Sequence, residues 1–127
     1  MKSEDSLTEE RKSFPEVLSV AQLVRTLFYG YGVTFYYGSK QILEENKSRA
    51  RTYTNLLESF RADIVERAIN DACADSPKKM PSVYLIQSHC RRIRSLENRL
   101  KISAGEQIGL DETHTFDSEK GEWIPKQ

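Results

Sequence analysis

The chain has 127 residues, a length typical of one domain, and its residues are 30% charged and 38% hydrophobic. Its formal net charge at pH 7 is zero, so no overall field draws it to nucleic acid or to a membrane. No apolar run approaches the roughly 20 residues that span a bilayer, and residues 1–5 lack the apolar core of a signal peptide. We therefore expect a cytoplasmic protein that recognises any charged partner through a local patch and does not bind membranes.

The first part of the chain predicts a flexible arm followed by a helix. Residues 1–12 are polar and mixed in charge, which is typical of a flexible N-terminal arm. A helical domain is expected over residues 13–103. Its first helix should run from near Ser13 to Tyr31, because Pro15 suits a first helical turn and apolar residues then recur at steps of three and four.

Residues 28–38 are densely aromatic and contain Gly30, Gly32 and Gly38. Glycines permit a tight change of direction, so we expect the first helix to end here, before a short extended or looped crossing. The segment lacks the Gly-Lys-Ser/Thr ending of a phosphate loop. Its rings either seal the core where the first helix turns or stack on bases, as in proteins that bind single-stranded nucleic acid.

Two further helices are predicted before residue 75. Ser39 can cap the second helix, which should run to about Phe60 with its apolar residues on one stripe. The exposed face of this helix mixes both signs of charge, a pattern typical of a solvated surface, so we assign it no function. Ser59 opens a shorter third helix, and Pro77 and Pro81 bracket the loop that follows.

The fourth helix is the most regular and is expected from Ser82 to about Ser103, with an apolar stripe from Val83 to Leu100. Its second half has five basic residues against one acidic, the strongest local charge in the chain. These basic residues are candidate contacts with nucleic acid or an acidic partner: Arg91, Arg92, Arg94, Arg99 and Lys101. Phosphate contacts of this kind are sensitive to salt. Alternatively, the helix is solvated and pairs with another helix or with the tail.

Residues 104–127 are expected to form a mostly irregular acidic tail, because six acidic residues stand against two basic ones from Gly105 onwards. Asp117 to Gly121 is a candidate turn of a small hairpin. Three apolar side chains are candidate anchors for a partner protein: Phe116, Trp123 and Ile124. The alternative is a tail docked on its own domain, with Trp123 over the basic helix.

No pattern in the sequence indicates catalysis, a cofactor, a metal ion or a small-molecule substrate. His89 and Cys90 are helix neighbours that point about 100° apart, so they cannot together ligate one metal ion without other help. A catalytic Cys-His pair would need a tertiary contact, for example between Cys73 and His89. Both cysteines fall among apolar helix positions, which favours reduced core thiols. We therefore expect a non-enzymatic binding protein.

The order of these parts resembles a family of phage proteins, the replication protein P-like loaders of the replicative helicase. The resemblance covers roughly residues 20–92, and the sequence has Tyr53 where the family usually has Trp. The residues that carry it are Leu27-Phe28, Tyr31-Gly32, Phe35, Tyr53, Leu56-Leu57, Phe60, Ile64, Ala68-Ile69, Pro81-Ser82, Leu85-Ile86 and Cys90-Arg91. It implies a DNA-replication accessory protein, of phage or mobile-element origin, that binds the hexameric helicase and loads or regulates it on single-stranded DNA.

The sequence thus predicts an all-α protein, a small bundle of about four helices with a long C-terminal basic helix. Two other functions stay open. One is a small regulatory DNA-binding protein that uses residues 91–101, and the other is a helical protein-interaction module unrelated to replication. A loader should bind the helicase with little affinity for DNA alone, whereas a DNA-binding protein should lose affinity steeply with salt.

Overall fold

The computed structural model describes residues 18–126, and the arm predicted over residues 1–12 lies outside the described residues. The chain divides between Asp63 and Ile64 into two compact units. Among the described residues there are five helices and one two-stranded antiparallel sheet. The expected mostly helical fold is therefore confirmed. None of the described helices is both long enough and apolar enough to cross a membrane.

The described part of the first unit, residues 18–63, contains the helices α1 at Val20–Gly30 and α2 at Lys40–Leu57. The hydroxyl of Ser19 accepts a hydrogen bond from the Gln22 amide, and the Gln22 side chain accepts one from the Ser19 amide. This capping box starts α1 at residue 20. The prediction of one helix continuous from Ser13 to Tyr31 is therefore wrong at residues 18 and 19, where apolar periodicity continued but the local cap interrupts the helix.

A glycine-containing connection leads from α1 to α2. Gly32 and Gly38 have φ angles of 79° and 132°, a backbone region that side chains with a Cβ rarely adopt. The predicted cap at Ser39 is confirmed, since its hydroxyl accepts a hydrogen bond from the Ile42 amide. The connection therefore reverses the chain so that α2 packs against α1.

Aromatic rings fill the space between α1 and α2. Phe28 and Phe35 are buried and stack with their ring centroids 5.9 Å apart. Tyr53 meets the Phe28 ring edge-on at 5.1 Å. Three other tyrosines of the aromatic segment and its helix, Tyr29, Tyr36 and Tyr37, are exposed. The segment therefore contributes buried rings to the packing of α1 against α2 and also exposes three tyrosine rings to solvent.

The second unit contains most of α3, Ala62–Asp75, and all of α4, Val83–Gln107. The predicted start of α4 at Ser82 is confirmed, and the Ser82 hydroxyl caps the helix by accepting a hydrogen bond from the Leu85 amide. Its apolar stripe is buried as far as Ile93, but Leu96 and Leu100 are 47% and 73% exposed. The predicted apolar stripe from Val83 to Leu100 therefore belongs to the core only as far as Ile93, although the Arg67–Glu97 contact shows that α3 still lies beside α4 at residue 97.

The chain after α4 is mostly regular. A short helix, α5 at Leu110–Thr113, leads into strands β1, His114–Asp117, and β2, Glu122–Pro125. The strands pair antiparallel, with His114 opposite Pro125 and Asp117 opposite Glu122. The candidate hairpin with its turn at Asp117 to Gly121 is therefore present, and residues 110–125 are more regular than the mostly irregular tail expected from the sequence. We call residues 114–125 the hairpin.

Candidate functional site

Polar contacts join α3 to α4 at three successive levels and fix which face of α4 is turned away from α3. Two are ion pairs, Arg67–Glu97 and Asp71–Arg92, with N–O distances of 2.8 and 2.9 Å, and the third is a hydrogen bond between His89 Nε2 and Asp75 Oδ2 at 2.9 Å. From one contact to the next, the residue number rises along α3 and falls along α4, so the two helices are antiparallel. Most of these side chains are partly exposed, and each pair contributes about 1 kcal/mol or less. Their main effect is to fix the orientation of α4 relative to α3.

Arg92 is the predicted basic contact that α3 engages directly. Its Nη2 donates to Asp71 Oδ2 at 2.9 Å and lies 3.1 Å from His89 Nδ1. Because arginine has no acceptor, Nδ1 of His89 accepts, which leaves Nε2 to donate to Asp75 Oδ2 at 2.9 Å. The positive charge of Arg92 is therefore already compensated by the Asp71 carboxylate. His89 contacts both Arg92 and Asp75, and so it takes part in the same hydrogen-bond network.

Side-chain hydrogen bonds attach the hairpin to α4. Asn98 Nδ2 donates to the Ser118 carbonyl at 3.0 Å, and Lys101 Nζ donates to the Gly121 carbonyl at 3.0 Å. In the opposite direction, Trp123 Nε1 donates to the Lys101 carbonyl at 3.0 Å. Lys101 keeps its net charge in this arrangement, because its acceptor is a neutral carbonyl.

The candidate anchors pack within the chain or lie beside it. The half-buried indole of Trp123 occupies the space directly over Gly105, where any side-chain carbon would meet it. Phe116 is also half-buried and meets Trp123 edge-on at 5.5 Å. Only Ile124 points outwards, with 36% exposure. The structure thus contains a docked tail, the arrangement that the sequence left as an alternative.

A groove of about 370 Å³ lies between α4 and the turn of the hairpin. We call it the basic groove, and its lining residues are Arg91, Arg94, Ser95, Asn98, Arg99, Ile102, Ser118 and Glu119. Most of its helical residues recur at steps of three and four, so they form one face of α4 about 16 Å long. The hairpin turn closes one side of this face.

The lining of the basic groove has a net positive charge. Three arginines face a single carboxylate, Glu119. Within residues 18–126, neither Arg91 nor Arg99 has a carboxylate partner. A guanidinium presents five N–H donors in a planar fork that matches the oxygens of a phosphate. The groove is therefore suited to a row of anionic groups.

The cysteines show no sign of nucleophilic chemistry. Cys90 is buried, and burial raises the pKa of its thiol to about 11, although Arg94 and Arg91 offset part of the effect. A thiol that stays protonated at neutral pH is a weak nucleophile. Cys73 is half-buried and unoxidised. In the part of the chain that the structure describes, no three His, Cys, Asp or Glu side chains are grouped to hold a metal ion.

Sequence reasoning found the arginines of the groove but missed its polar members on α4 and on the hairpin. Ser95 and Asn98 carry a detectable signal, since they continue the steps of three and four that begin at Arg91. Ser118 and Glu119 carry no such signal, because only docking of the hairpin brings them to the helix.

Comparisons with protein-family models, curated proteins and solved structures found no match to this chain.

Proposed function

We propose that this chain is a non-enzymatic accessory protein of DNA replication that holds the phosphate backbone of single-stranded DNA in the basic groove. The observation that carries the proposal is the contrast between Arg92, which is paired with Asp71, and the groove residues Arg91 and Arg99, which have no carboxylate partner within residues 18–126. The replication role rests on the family resemblance, and the DNA contact rests on the groove.

The dimensions of the groove favour a single strand. Arg91 and Arg99 are separated by about 12 Å along the helix, which allows Arg94 to contact an intermediate phosphate. The groove lies on one helix face with the hairpin turn as a wall, and so it offers a track for one backbone. Proteins that bind single strands combine such charged tracks with limited sequence preference.

Salt dependence tests this proposal. Fluorescence anisotropy of a labelled oligothymidine should show affinity that falls with salt, and about three phosphate contacts correspond to a slope near −2 in log K against log salt. The same slope is expected for oligonucleotides of other sequence, because backbone contacts do not read bases. A slope near zero, or saturable binding that persists unchanged at high salt, contradicts the proposal.

A second candidate function is binding of the replicative helicase hexamer, which the family resemblance implies. A specific observation favours a protein partner: Leu96 and Leu100 lie one turn apart on α4 and remain exposed. Paired apolar side chains on a helix are typical anchors for another protein. A partner that prefers the opened ring would shift the helicase towards that state, because a ligand shifts a conformational equilibrium by its preference for one state.

Capture from nuclease-treated host lysate tests the second function. The tagged wild-type chain should retain the helicase, Leu96→Gln/Leu100→Gln should lose it, and a variant with altered groove arginines should keep it. Failure of the wild-type chain to retain the helicase contradicts helicase binding. That outcome leaves the DNA-binding proposal standing, because the two functions rest on different side chains.

A further inference from the structure

A second concavity, of about 360 Å³, lies in the first unit between α1 and α2. We call it the α1–α2 pocket, and its lining residues are Ala21, Arg25, Phe35, Lys47, Ala50, Arg51, Thr54 and Asn55. Its volume falls within the range of about 300–1,000 Å³ that is typical of small-molecule sites. It shares no residue with the basic groove.

Small side chains and a fixed ring create this pocket. Ala21 on α1 and Ala50 on α2 present only methyl groups, and the space that longer side chains would occupy stays open. Phe35 is 8% exposed and is held by stacking on Phe28 and by edge-on contact with Tyr29 at 5.6 Å. The apolar part of the pocket is therefore preformed.

The pocket is positively charged. Arg25 comes from α1, whereas Lys47 and Arg51 come from successive turns of α2, and no carboxylate is among the lining residues. Within residues 18–126, none of these three cations has a carboxylate partner. Like charges that face one cavity repel each other, and an anion between them relieves that repulsion. An anionic group is therefore the complementary occupant.

Neutral polar groups complete the lining. The Thr54 hydroxyl donates to the Ala50 carbonyl at 2.9 Å, so it can only accept from an occupant. The Asn55 amide, which has no hydrogen-bond partner among the described residues, supplies both donors and an acceptor. The pocket thus combines cations, an apolar ring and a few orienting polar groups.

We propose that the α1–α2 pocket binds a phosphate monoester carried on a flat aromatic body, the chemistry of a mononucleotide. The phosphate contacts Arg25, Lys47 and Arg51, and the body lies against Phe35 and the two alanine methyl groups. A free nucleotide and the 5′-phosphorylated end of a nucleic acid share this chemistry. This binding is separate from the backbone contacts proposed for the basic groove.

Isothermal titration of the full chain with adenosine 5′-monophosphate tests the proposal through two kinds of variant. Ala21→Leu/Ala50→Leu fills the pocket and keeps its charge, whereas Arg25→Gln/Arg51→Gln removes charge and keeps its shape. Each variant should weaken binding by about tenfold or more, as expected when charged hydrogen bonds or a fitted body are lost. Arg91→Glu/Arg99→Glu serves as the control in the other unit and should bind like wild type.

Further titrations separate the features of the ligand. Adenosine and inorganic phosphate should each bind more weakly than the monophosphate. In the Arg91→Glu/Arg99→Glu background, where the basic groove no longer attracts a backbone, a 5′-phosphorylated tetranucleotide that binds more tightly than the monophosphate identifies a nucleic-acid end as the ligand of the pocket, and weaker binding identifies a free nucleotide. The proposal is overturned by absence of saturable binding of the monophosphate, by equal binding of inorganic phosphate, or by unchanged affinity in a folded pocket-filling variant.

Discussion

The indole of Trp123 lies directly over Gly105, and its N–H donates to the Lys101 carbonyl at 3.0 Å. A Cβ built on Gly105 would fall within the indole ring. Only glycine allows α4 and the hairpin to approach this closely. Since the hairpin turn is one wall of the basic groove, this contact also determines the shape of the candidate site.

Gly105→Ala should therefore destabilise the protein, although alanine ordinarily favours a helix interior. Overpacking of this kind typically costs about 1–3 kcal/mol. The expected results are a lower midpoint of urea denaturation and a red shift of Trp123 fluorescence, because the indole must leave its position on α4.

Gly30→Ala is the matched control for this prediction. Gly30 also lies in a helix, but no atom is within 4 Å of the position that its Cβ would occupy. The substitution should be neutral or should stabilise the protein by up to about 1 kcal/mol. Equal changes in stability for the two substitutions would show that the Trp123 indole does not pack over Gly105.

The two cysteines should differ in reactivity. At pH 8 a disulfide reagent should label Cys73 in the native chain, and it should label Cys90 only after denaturation, because Cys90 is buried and its pKa is raised to about 11. In Cys73→Ser, native protein should therefore show almost no fast-reacting thiol. Rapid labelling of that variant under native conditions is the contrary result.

The raised pKa of Cys90 also predicts the direction of a pH effect. The ordinary thiol pKa is 9.0, so between pH 9 and about 11 the unfolded chain loses this proton while the folded chain keeps it. The contribution of this thiol to the free energy of unfolding is constant below pH 9 and falls above it. Urea denaturation of wild type and Cys90→Ala, compared at pH 8 and pH 10, should show the larger pH-dependent loss in wild type.

Arg92 and Arg99 should respond differently to neutralisation, although both are exposed arginines of α4. Arg99→Gln should weaken binding of single-stranded DNA, because a groove cation is lost. Arg92→Gln should change that affinity little, because Asp71 already compensates its charge, and should cost about 1 kcal/mol or less of stability. Equal loss of affinity in both variants would mean that pairing with Asp71 does not keep Arg92 from contributing to DNA binding.

Local features of the fold are predictable from the sequence. Ser39 and Ser82 cap helices through hydrogen bonds to residues three positions on, so neighbouring residues contain the whole signal. Ser19 caps α1 in the same way, but Pro15 offered an earlier start for a helix with continuous periodicity. The predicted end of the fourth helix is at about Ser103, whereas α4 continues through Gly105 to Gln107, and Gly105 leaves the space that Trp123 occupies.

Features that depend on tertiary packing are not predictable in this way. Lys47 and Arg51 belong to a helix face of mixed charge, and nothing in the sequence distinguishes them from the other charged residues of that face. They face a pocket only because α1 brings Arg25 and Ala21 to α2. The groove shows the same limit, since the position of Glu119 depends on docking of the hairpin.

The most direct test of the basic groove compares two charge reversals of equal size in the same unit. Arg91→Glu/Arg99→Glu changes the groove, whereas Lys78→Glu/Lys79→Glu changes exposed residues in the loop between α3 and α4. Anisotropy with labelled oligothymidine at fixed low salt should show binding abolished in the first variant and weakened only modestly in the second. Equal loss in both variants would contradict a defined groove, since overall charge alone would then account for DNA binding.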